Sequence, residues 1–168
     1  MIIVFEGPDG AGKTTLLRRI HQELNIPTLK MPKAHETFDD WKVLNALSEN
    51  YDLLLNQIAW SGHNFLVDRG LLSGLVYSKV YNRHNDLEYI WRIINVNTEI
   101  TYVILVGDSD KLLARKTDEV IDPDRLVKIN EAYKELAIKI PNSIVIDTTN
   151  NSEEDCVDQI LAFLRGKL

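Results

Sequence analysis

The chain alternates short apolar runs with longer segments of mixed polarity. Five runs are continuously apolar and do not alternate with polar residues, which is typical of parallel strands buried on both faces. They are residues 2–5, 27–31, 65–67, 101–106 and 143–146, of which 27–31 is the weakest. Strands that alternate with helices favour right-handed crossovers and a parallel sheet with helices on both faces. The pattern predicts a three-layer α/β/α fold with a five-stranded parallel sheet.

The segments between the runs have helical length and composition. They are residues 13–24, 38–62, 71–95, 109–115, 124–140 and 152–164. We expect two helices in residues 38–62, with a break near Asn50, and one long helix in residues 71–95, where residues 82–86 are a candidate interruption. Ligands of such sheets bind beyond the carboxyl ends of the strands. The residues just after each apolar run are therefore the candidate functional positions.

Length and charge narrow the class of protein. The 168 residues fit one domain, 1–168, and the net charge of −6 opposes a general nucleic-acid binder, although a local basic pocket is compatible with it. The single cysteine, Cys156, excludes an intramolecular disulfide, and we interpret it as a packing residue. We find no apolar run of about 18 residues and no signal-peptide pattern, so we expect no membrane span and a cytoplasmic location.

Residues 7–14 carry the strongest chemical signal. Their sequence, Gly-Pro-Asp-Gly-Ala-Gly-Lys-Thr, fits G-x-x-x-x-G-K-[ST], with a buried strand before it and a helix after it. Glycines let the backbone approach a phosphate, and the amides and the helix N-terminus face the anion. Lys13 would supply charge to the β- and γ-phosphates, and the Thr14 hydroxyl would ligate Mg²⁺. We therefore expect a P-loop NTPase fold that uses ATP and Mg²⁺. The residues expected to contact ATP here are Gly7, Asp9, Gly10, Ala11, Gly12, Lys13, Thr14 and Thr15.

The third apolar run distinguishes a kinase from a nucleotide switch. It ends in Asp68-Arg69, with Ser73 and Tyr77 on one helical face beyond it. A carboxylate at this strand end is suited to hold Mg²⁺, and the planar guanidinium is suited to grip a phosphate. The alternative is a surface ion pair. A GTP switch normally carries an Asn-Lys-x-Asp-like guanine reader after a later strand, and neither residues 107–110 nor 147–150 fit that pattern.

Two of these segments resemble the thymidylate kinase family closely. Residues 5–15 are similar to the opening of those enzymes, and residues 68–77 are similar to their D-R-x-x-x-S-x-x-x-Y segment. Residues 124–137 resemble, more weakly, the stretch after the family's mobile lid. Residues 146–149, followed by an acidic helix start, resemble the loop that packs on the adenine of ATP, which makes Thr148 a candidate contact. The four blocks follow the family's order along the whole chain.

The resemblance implies roles for the matching residues. Asp9 would approach the sugar hydroxyl of the acceptor, Asp68 would organise Mg²⁺ and its waters, and Arg69 would bind the acceptor phosphate. Ser73 and Tyr77 would belong to the same acceptor site. The family also implies a homodimer.

A further cation is expected near the transferring group. Some family members carry an arginine in the phosphate loop, at the place of Gly10, and members without it use basic lid residues. Arg115 and Lys116 are therefore candidates to stabilise charge on the transferring phosphoryl group and to contact ATP. Alternatively, both simply end a helix favourably. The expected catalytic residues are Lys13, Asp68, Arg69 and Arg115.

The chain departs from the family at the base pocket. After the second strand, residues 29–33 replace the family's T-R-E-P-G-G-T. An ungapped alignment places Leu44 where the family has a base-stacking phenylalanine and Ser48 where it has an arginine. Thymine specificity is therefore an open question. Four residues of this segment are alternative base contacts or core residues: Trp41, Tyr51, Gln57 and Trp60.

The same segment bears on the acceptor. Nucleoside kinases place a general-base carboxylate just after the second strand, whereas this chain has Lys30 and Lys33, with Glu36 the nearest acid. Cations suit an acceptor that already carries a phosphate, although both lysines are also compatible with simple solvation. We therefore expect a nucleoside monophosphate kinase. The alternatives are a nucleoside kinase, a polynucleotide 5′-kinase and, from another class, a nucleotide-binding switch or ATPase.

Overall fold

The computed structural model describes residues 1–31, 40–84, 86–97, 99–115 and 122–167. In these ranges the strands are β1 (Ile2–Glu6), β2 (Thr28–Lys30), β3 (Phe65–Asp68), β4 (Ile100–Val106) and β5 (Ser143–Asp147). The helices are α1 (Lys13–Leu24), α2 (Trp41–Ser61), α3 (Leu71–Val80), α4 (Leu87–Val96), α5 (Ser109–Ala114), α6 (Pro123–Ala137) and α7 (Glu153–Arg165). No helix within these ranges combines the length and apolarity of a membrane span.

The strands form one parallel sheet in the order β2-β3-β1-β4-β5. β1 lies at its centre, where Ile2 is aligned with Phe65 of β3 and Ile100 of β4. Every residue of β1 and β4 is buried, as expected for strands covered on both faces. The predicted five-stranded parallel sheet is therefore confirmed.

The core has two halves, one on each face of the sheet. Ile2 and Val4 of β1 point into a cluster built with α2, α3, α4 and most of α6. Ile3 and Phe5 point into a second cluster with α1, α5 and α7. Each fully buried side chain of this kind contributes roughly 1.5–3 kcal/mol to stability. The alternation of β1 side chains between two helical layers confirms the three-layer architecture.

The expected break near Asn50 is wrong, because α2 runs unbroken for 21 residues. Asn50 is an indifferent helix former, but it points outward. The buried positions Leu44, Ser48, Leu55 and Ile58 keep helical spacing through the segment. Packing of this inward stripe outweighs the local preference at Asn50.

The interruption of residues 71–95 is confirmed. α3 ends at Val80, and Asn82 takes a left-handed backbone conformation (φ 51°), which a short polar side chain tolerates. α4 begins after Asp86, whose carboxylate caps the helix by accepting from the Tyr89 amide at 2.8 Å.

Candidate active site

The loop between β1 and α1 is built from glycines in conformations that other residues rarely adopt. Gly7, Gly10 and Gly12 have φ of 144°, 81° and 79°. At Gly7 a Cβ would also lie only 2.4 Å from the Leu105 carbonyl oxygen of β4. Glycine is therefore required there by both backbone conformation and space, and the loop is positioned tightly on the sheet edge.

Lys13 is the first residue of α1, and its side chain is buried against this loop, with the residue 7% exposed. Its ammonium donates to the carbonyl oxygens of Gly7 at 2.8 Å and Pro8 at 2.6 Å. Burial, reinforced by the positive charge of Arg69, lowers the pKa of Lys13 from 10.5 to about 7. A phosphate anion beside Lys13 would favour the charged form again.

Arg69 lies next to the same loop. Its backbone is left-handed (φ 66°), a strained conformation for a non-glycine residue, and its amide donates to the Phe5 carbonyl at 2.9 Å. The guanidinium Nη2 pairs with Asp9 Oδ1 at 2.5 Å. Its Nη1 donates to the Gly7 carbonyl at 3.3 Å and the Tyr77 hydroxyl at 3.2 Å. The strained turn thus points Arg69 back onto the phosphate loop.

Ser73 and Tyr77 join Arg69 as their spacing predicts. Arg69 Nη1 lies 3.4 Å from Ser73 Oγ, and the guanidinium carbon lies 5.4 Å from the centroid of the Tyr77 ring. Burial opposes the charge of Arg69, but Tyr77, Tyr133 and the carboxylates of Asp9 and Glu6 raise its pKa. Arg69 is therefore a permanent cation at this point of the sheet edge. The structure brings Asp9, Arg69, Ser73 and Tyr77 into one cluster.

A buried carboxylate beneath this cluster was missed by the sequence argument. Glu6, the last residue of β1, is 0% exposed. It accepts from Ser73 Oγ at 2.6 Å and from the Tyr133 hydroxyl at 3.1 Å. Burial raises the pKa of Glu6, and the hydrogen bond from Ser73 and the charge of Arg69 oppose that rise. A carboxylate that ends an apolar strand was the available signal, whereas Tyr133, 127 residues away, had none.

Asp68 and Thr14 are the expected magnesium ligands. Asp68 ends β3, and its buried Oδ1 has no hydrogen-bond partner within the described ranges. Thr14 is exposed in the first turn of α1. An unpartnered buried carboxylate oxygen fits a hydrated cation. The described residues contain no group of three or more His, Cys, Asp or Glu that could hold a metal.

A cavity of about 410 Å³ lies beside the phosphate loop, and six of the residues predicted to contact ATP line it. Gly10, Ala11, Gly12 and Thr15 line one side, and Arg115 and Thr148 line another. The Arg115 guanidinium donates to Thr148 Oγ1 at 3.1 Å and to its carbonyl at 2.6 Å. Arg115 and Thr148 are therefore brought together at this cavity, and Arg115 is held by the loop after β5.

The lysines predicted to face the acceptor are only partly described. Lys30 is exposed at the end of β2 and is aligned with Asp68 of β3, at the same sheet edge. Lys33, Glu36 and Lys116 lie outside the described residues. The role of Lys30 stays a prediction.

Of the candidate base contacts, Tyr51 lies close enough to the acceptor cluster for the charges of Glu6 and Arg69 to affect it. Burial raises its pKa to about 12, and the charge of Glu6 adds to the effect. Trp60, nine residues later and half a turn around α2, is 84% exposed, and Gln57 is also exposed. Leu44 and Ser48 are both 4% exposed, and Ser48 Oγ donates to the Leu44 carbonyl at 3.2 Å. The side chain of Trp41 lies outside the described part of the chain.

The site combines a phosphate loop, the buried Lys13 and a polar cluster around Arg69 at the end of the adjoining strand. These features are typical of a P-loop kinase site. Comparison with known proteins agrees with this class, although no family model matches the chain. A probable thymidylate kinase of Methanocaldococcus jannaschii is 28% identical over 185 residues, covering 99% of this chain and 96% of that protein. A thymidylate kinase of Finegoldia magna is also 28% identical, over 203 residues, covering 99% and 98%.

Two solved structures share the fold. YorR of Bacillus subtilis, in complex with phosphorylated GDP, has a TM-score of 0.78 and 23% identity, covering 99% of this chain and 97% of that one. Deoxyadenosine kinase from M. mycoides with bound dATP has a TM-score of 0.72 and 18% identity, covering 98% and 100%. The chain is thus similar to thymidylate kinases over nearly its whole length, and it is an enzyme of the phosphotransferase class.

Proposed function

We propose that the protein transfers the γ-phosphoryl group of ATP to the phosphate of a (deoxy)nucleoside monophosphate. One observation carries the proposal: the Lys13 ammonium and the Arg69 guanidinium contact the same carbonyl oxygen, that of Gly7, at 2.8 and 3.3 Å. Two cations held this close repel each other. The arrangement suits two anions that must meet there, the γ-phosphate on the Lys13 side and the acceptor phosphate on the Arg69 side.

The reaction needs few chemical groups from the protein. An oxygen of the acceptor phosphate forms a bond to the γ-phosphorus, the bond from that phosphorus to the β-phosphate oxygen breaks, and ADP leaves. The phosphate oxygen is already ionised at neutral pH and needs no general base. Catalysis then depends on positioning and on neutralising charge. Mg²⁺ near Asp68 and Thr14 would neutralise charge on the ATP phosphates.

The chain's own residues divide this work. Lys13 and the backbone amides of residues 9–14 hold the ATP phosphates, and Arg69 orients the acceptor phosphate. Asp9 approaches the sugar of the acceptor. Arg115 and Thr148 bound the cavity assigned to the rest of ATP.

Acceptor-dependent formation of ADP tests the proposal. Wild-type protein is incubated with ATP, Mg²⁺ and each natural (deoxy)nucleoside or its monophosphate. We expect one or more monophosphates to stimulate ADP formation strongly. Stimulation by nucleosides alone would indicate a nucleoside kinase, and hydrolysis that ignores every acceptor would indicate a switch or ATPase; either result contradicts the proposal.

Arg69→Ala locates the acceptor phosphate. Loss of a buried, charge-assisted contact of this kind costs about 2–5 kcal/mol, so we expect kcat/KM for a monophosphate to fall roughly 30- to 5,000-fold. Activity on the matching nucleoside should change far less. Lys79→Ala is the matched control, because Lys79 lies on the adjoining helix α3 with its side chain 64% exposed. Equal losses on both acceptors would remove the role assigned to Arg69.

A further inference from the structure

Glu6 is a fully buried carboxylate for which the reaction has no direct use. It follows four apolar residues of the central strand β1 and is 0% exposed. Burying an ionised carboxylate is costly unless hydrogen bonds and a nearby cation compensate for the lost water. Gly70 packs closely beside it, since a Cβ there would lie 3.6 Å from Glu6 Oε1 and 3.1 Å from a methyl group of Val4.

Three donors from two helices converge on Glu6. Oε1 accepts from the Ser73 amide at 3.2 Å. Oε2 accepts from the Ser73 hydroxyl at 2.6 Å and from the Tyr133 hydroxyl at 3.1 Å. The two hydroxyls lie 3.0 Å apart, so Oε2 and the hydroxyl oxygens form a closed triangle. Glu6 therefore fixes the start of α3 against α6.

The direction of the hydrogen bonds in this triangle also affects the contact between Ser73 and Arg69. Because the Ser73 hydroxyl gives its proton to Glu6, a lone pair of Ser73 Oγ is left to face Arg69 Nη1 at 3.4 Å. Arg69 has no acceptor capacity of its own, so it binds Ser73 only when the serine proton points elsewhere. The negative charge of Glu6 also attracts the guanidinium from beneath.

We propose that Glu6 is a positioning residue of the acceptor site, which sets the direction of the Ser73 hydroxyl and thereby holds the Arg69 guanidinium in place for the acceptor phosphate. This inference rests on the proposed function, which gives Arg69 its task. It adds a determinant that lies wholly beneath the surface of the site and touches no substrate.

Glu6→Gln is the sharpest perturbation, because it keeps the shape of the side chain. An amide has one acceptor oxygen and one donor nitrogen. If the nitrogen takes the Oε2 position, it donates to Ser73 Oγ, and the serine proton must turn away from residue 6, toward Arg69 or the Tyr133 hydroxyl 3.0 Å away. If it takes the Oε1 position, it meets the Ser73 amide, which is also a donor. Either orientation creates a conflict of two donors in the Ser73 bonds.

The matched control is Tyr133→Phe. It removes one hydrogen bond to the same carboxylate oxygen but leaves the Ser73 proton directed at Glu6. We expect Glu6→Gln to lower kcat/KM for the monophosphate at least tenfold, while the KM for ATP stays within about threefold of wild type. Tyr133→Phe should lower kcat/KM for the monophosphate less than threefold. A uniform rise of both KM values would indicate a general structural role and overturn the proposal.

A double-mutant cycle with Ser73→Ala tests the route. If Glu6 acts through Ser73, Glu6→Gln should cost no more than about twofold in the Ser73→Ala background; a full tenfold loss there overturns the inference. Thermal unfolding reports whether each variant is folded. If Glu6→Gln does not fold, Ser73→Ala and Tyr133→Phe decide alone, since equal losses from the two contradict the proposal. A wild-type protein with no acceptor-dependent ADP formation would overturn the proposed function itself, whereas an additive cycle in an active enzyme overturns only the role of Glu6.

Discussion

Replacing Lys13 by methionine should make the stability of the protein respond differently to pH. The Lys13 ammonium is buried in the phosphate loop, and its pKa is lowered from 10.5 to about 7. The folded pKa is below the unfolded one, so the unfolded chain binds more protons between these values. The charge therefore destabilises the folded state fully below about pH 7, and this cost disappears as the pH rises toward 10.5.

The magnitude follows from the same pKa. Lowering it from 10.5 to about 7 corresponds to about 5 kcal/mol of unfavourable free energy near neutral pH, with a slope of at most about 1.4 kcal/mol per pH unit above pH 7. Lys13→Met also removes the hydrogen bonds from the ammonium to the carbonyls of Gly7 and Pro8, a loss of about 1 kcal/mol each, because Arg69 Nη1 and the Ala11 amide still donate to them. That loss does not vary with pH, so the slope isolates the charge.

Urea unfolding of the protein without nucleotide, from pH 6.5 to 9.5, measures the difference between variant and wild type. We expect the unfolding free energy of Lys13→Met, relative to wild type, to fall by about 2–4 kcal/mol across this range. Lys79→Met is the control, because its ammonium is exposed and loses little hydration on folding. A constant difference between Lys13→Met and wild type over the range would refute the reasoning.

Two further predictions concern buried polar groups at the sheet edge. Asn130 is 0% exposed, donates to the Gly107 carbonyl at 2.7 Å and accepts from the Gly107 amide at 3.3 Å. Asn130→Leu should therefore lower the unfolding free energy, measured by urea unfolding, by about 2–4 kcal/mol. A loss below about 1 kcal/mol would contradict this. The second prediction concerns Asp68, whose buried Oδ1 has no partner in the described structure. Asp68→Asn should raise the Mg²⁺ concentration that gives half-maximal activity about 10- to 100-fold. An unchanged magnesium requirement would remove the role assigned to Asp68.

The sequence predicts those parts of the fold and site that depend on local pattern. The apolar runs locate all five strands, and the glycine spacing locates the phosphate loop, because strand burial and positive φ leave direct traces in residue type. The pairing of Ser73 with Tyr77 follows from helical periodicity. The sequence does not predict that α2 continues past Asn50, because the deciding contacts come from packing against other elements. Single-domain organisation and the homodimer stay predictions.

The acceptor cluster also shows why the rest of the site lay beyond sequence reasoning. Arg69 meets Asp9 from a loop 60 residues earlier, and Glu6 meets Tyr133 from a helix 127 residues later. Such contacts form because parallel strands bring their carboxyl ends together, so the Asp9–Arg69 ion pair and the roles of Glu6 and Tyr133 leave no trace in the local sequence pattern. Asn130 is a further example, because it hydrogen-bonds both the amide and the carbonyl of Gly107 from 23 residues away.

The ion pair between Arg69 and Asp9 bears on how an acidic chain would take up an anionic acceptor. Among the described residues around the loop, the carboxylates of Glu6, Asp9 and Asp68 surround the cations of Lys13 and Arg69. On the proposed function, an acceptor phosphate would take the place of Asp9 as the anionic partner of Arg69. The Asp9 carboxylate would then turn to the sugar hydroxyl that the family resemblance assigns to it. An acceptor that carries both a phosphate and a sugar hydroxyl would engage Arg69 and Asp9 together, whereas a nucleoside would offer Arg69 no anion in place of Asp9.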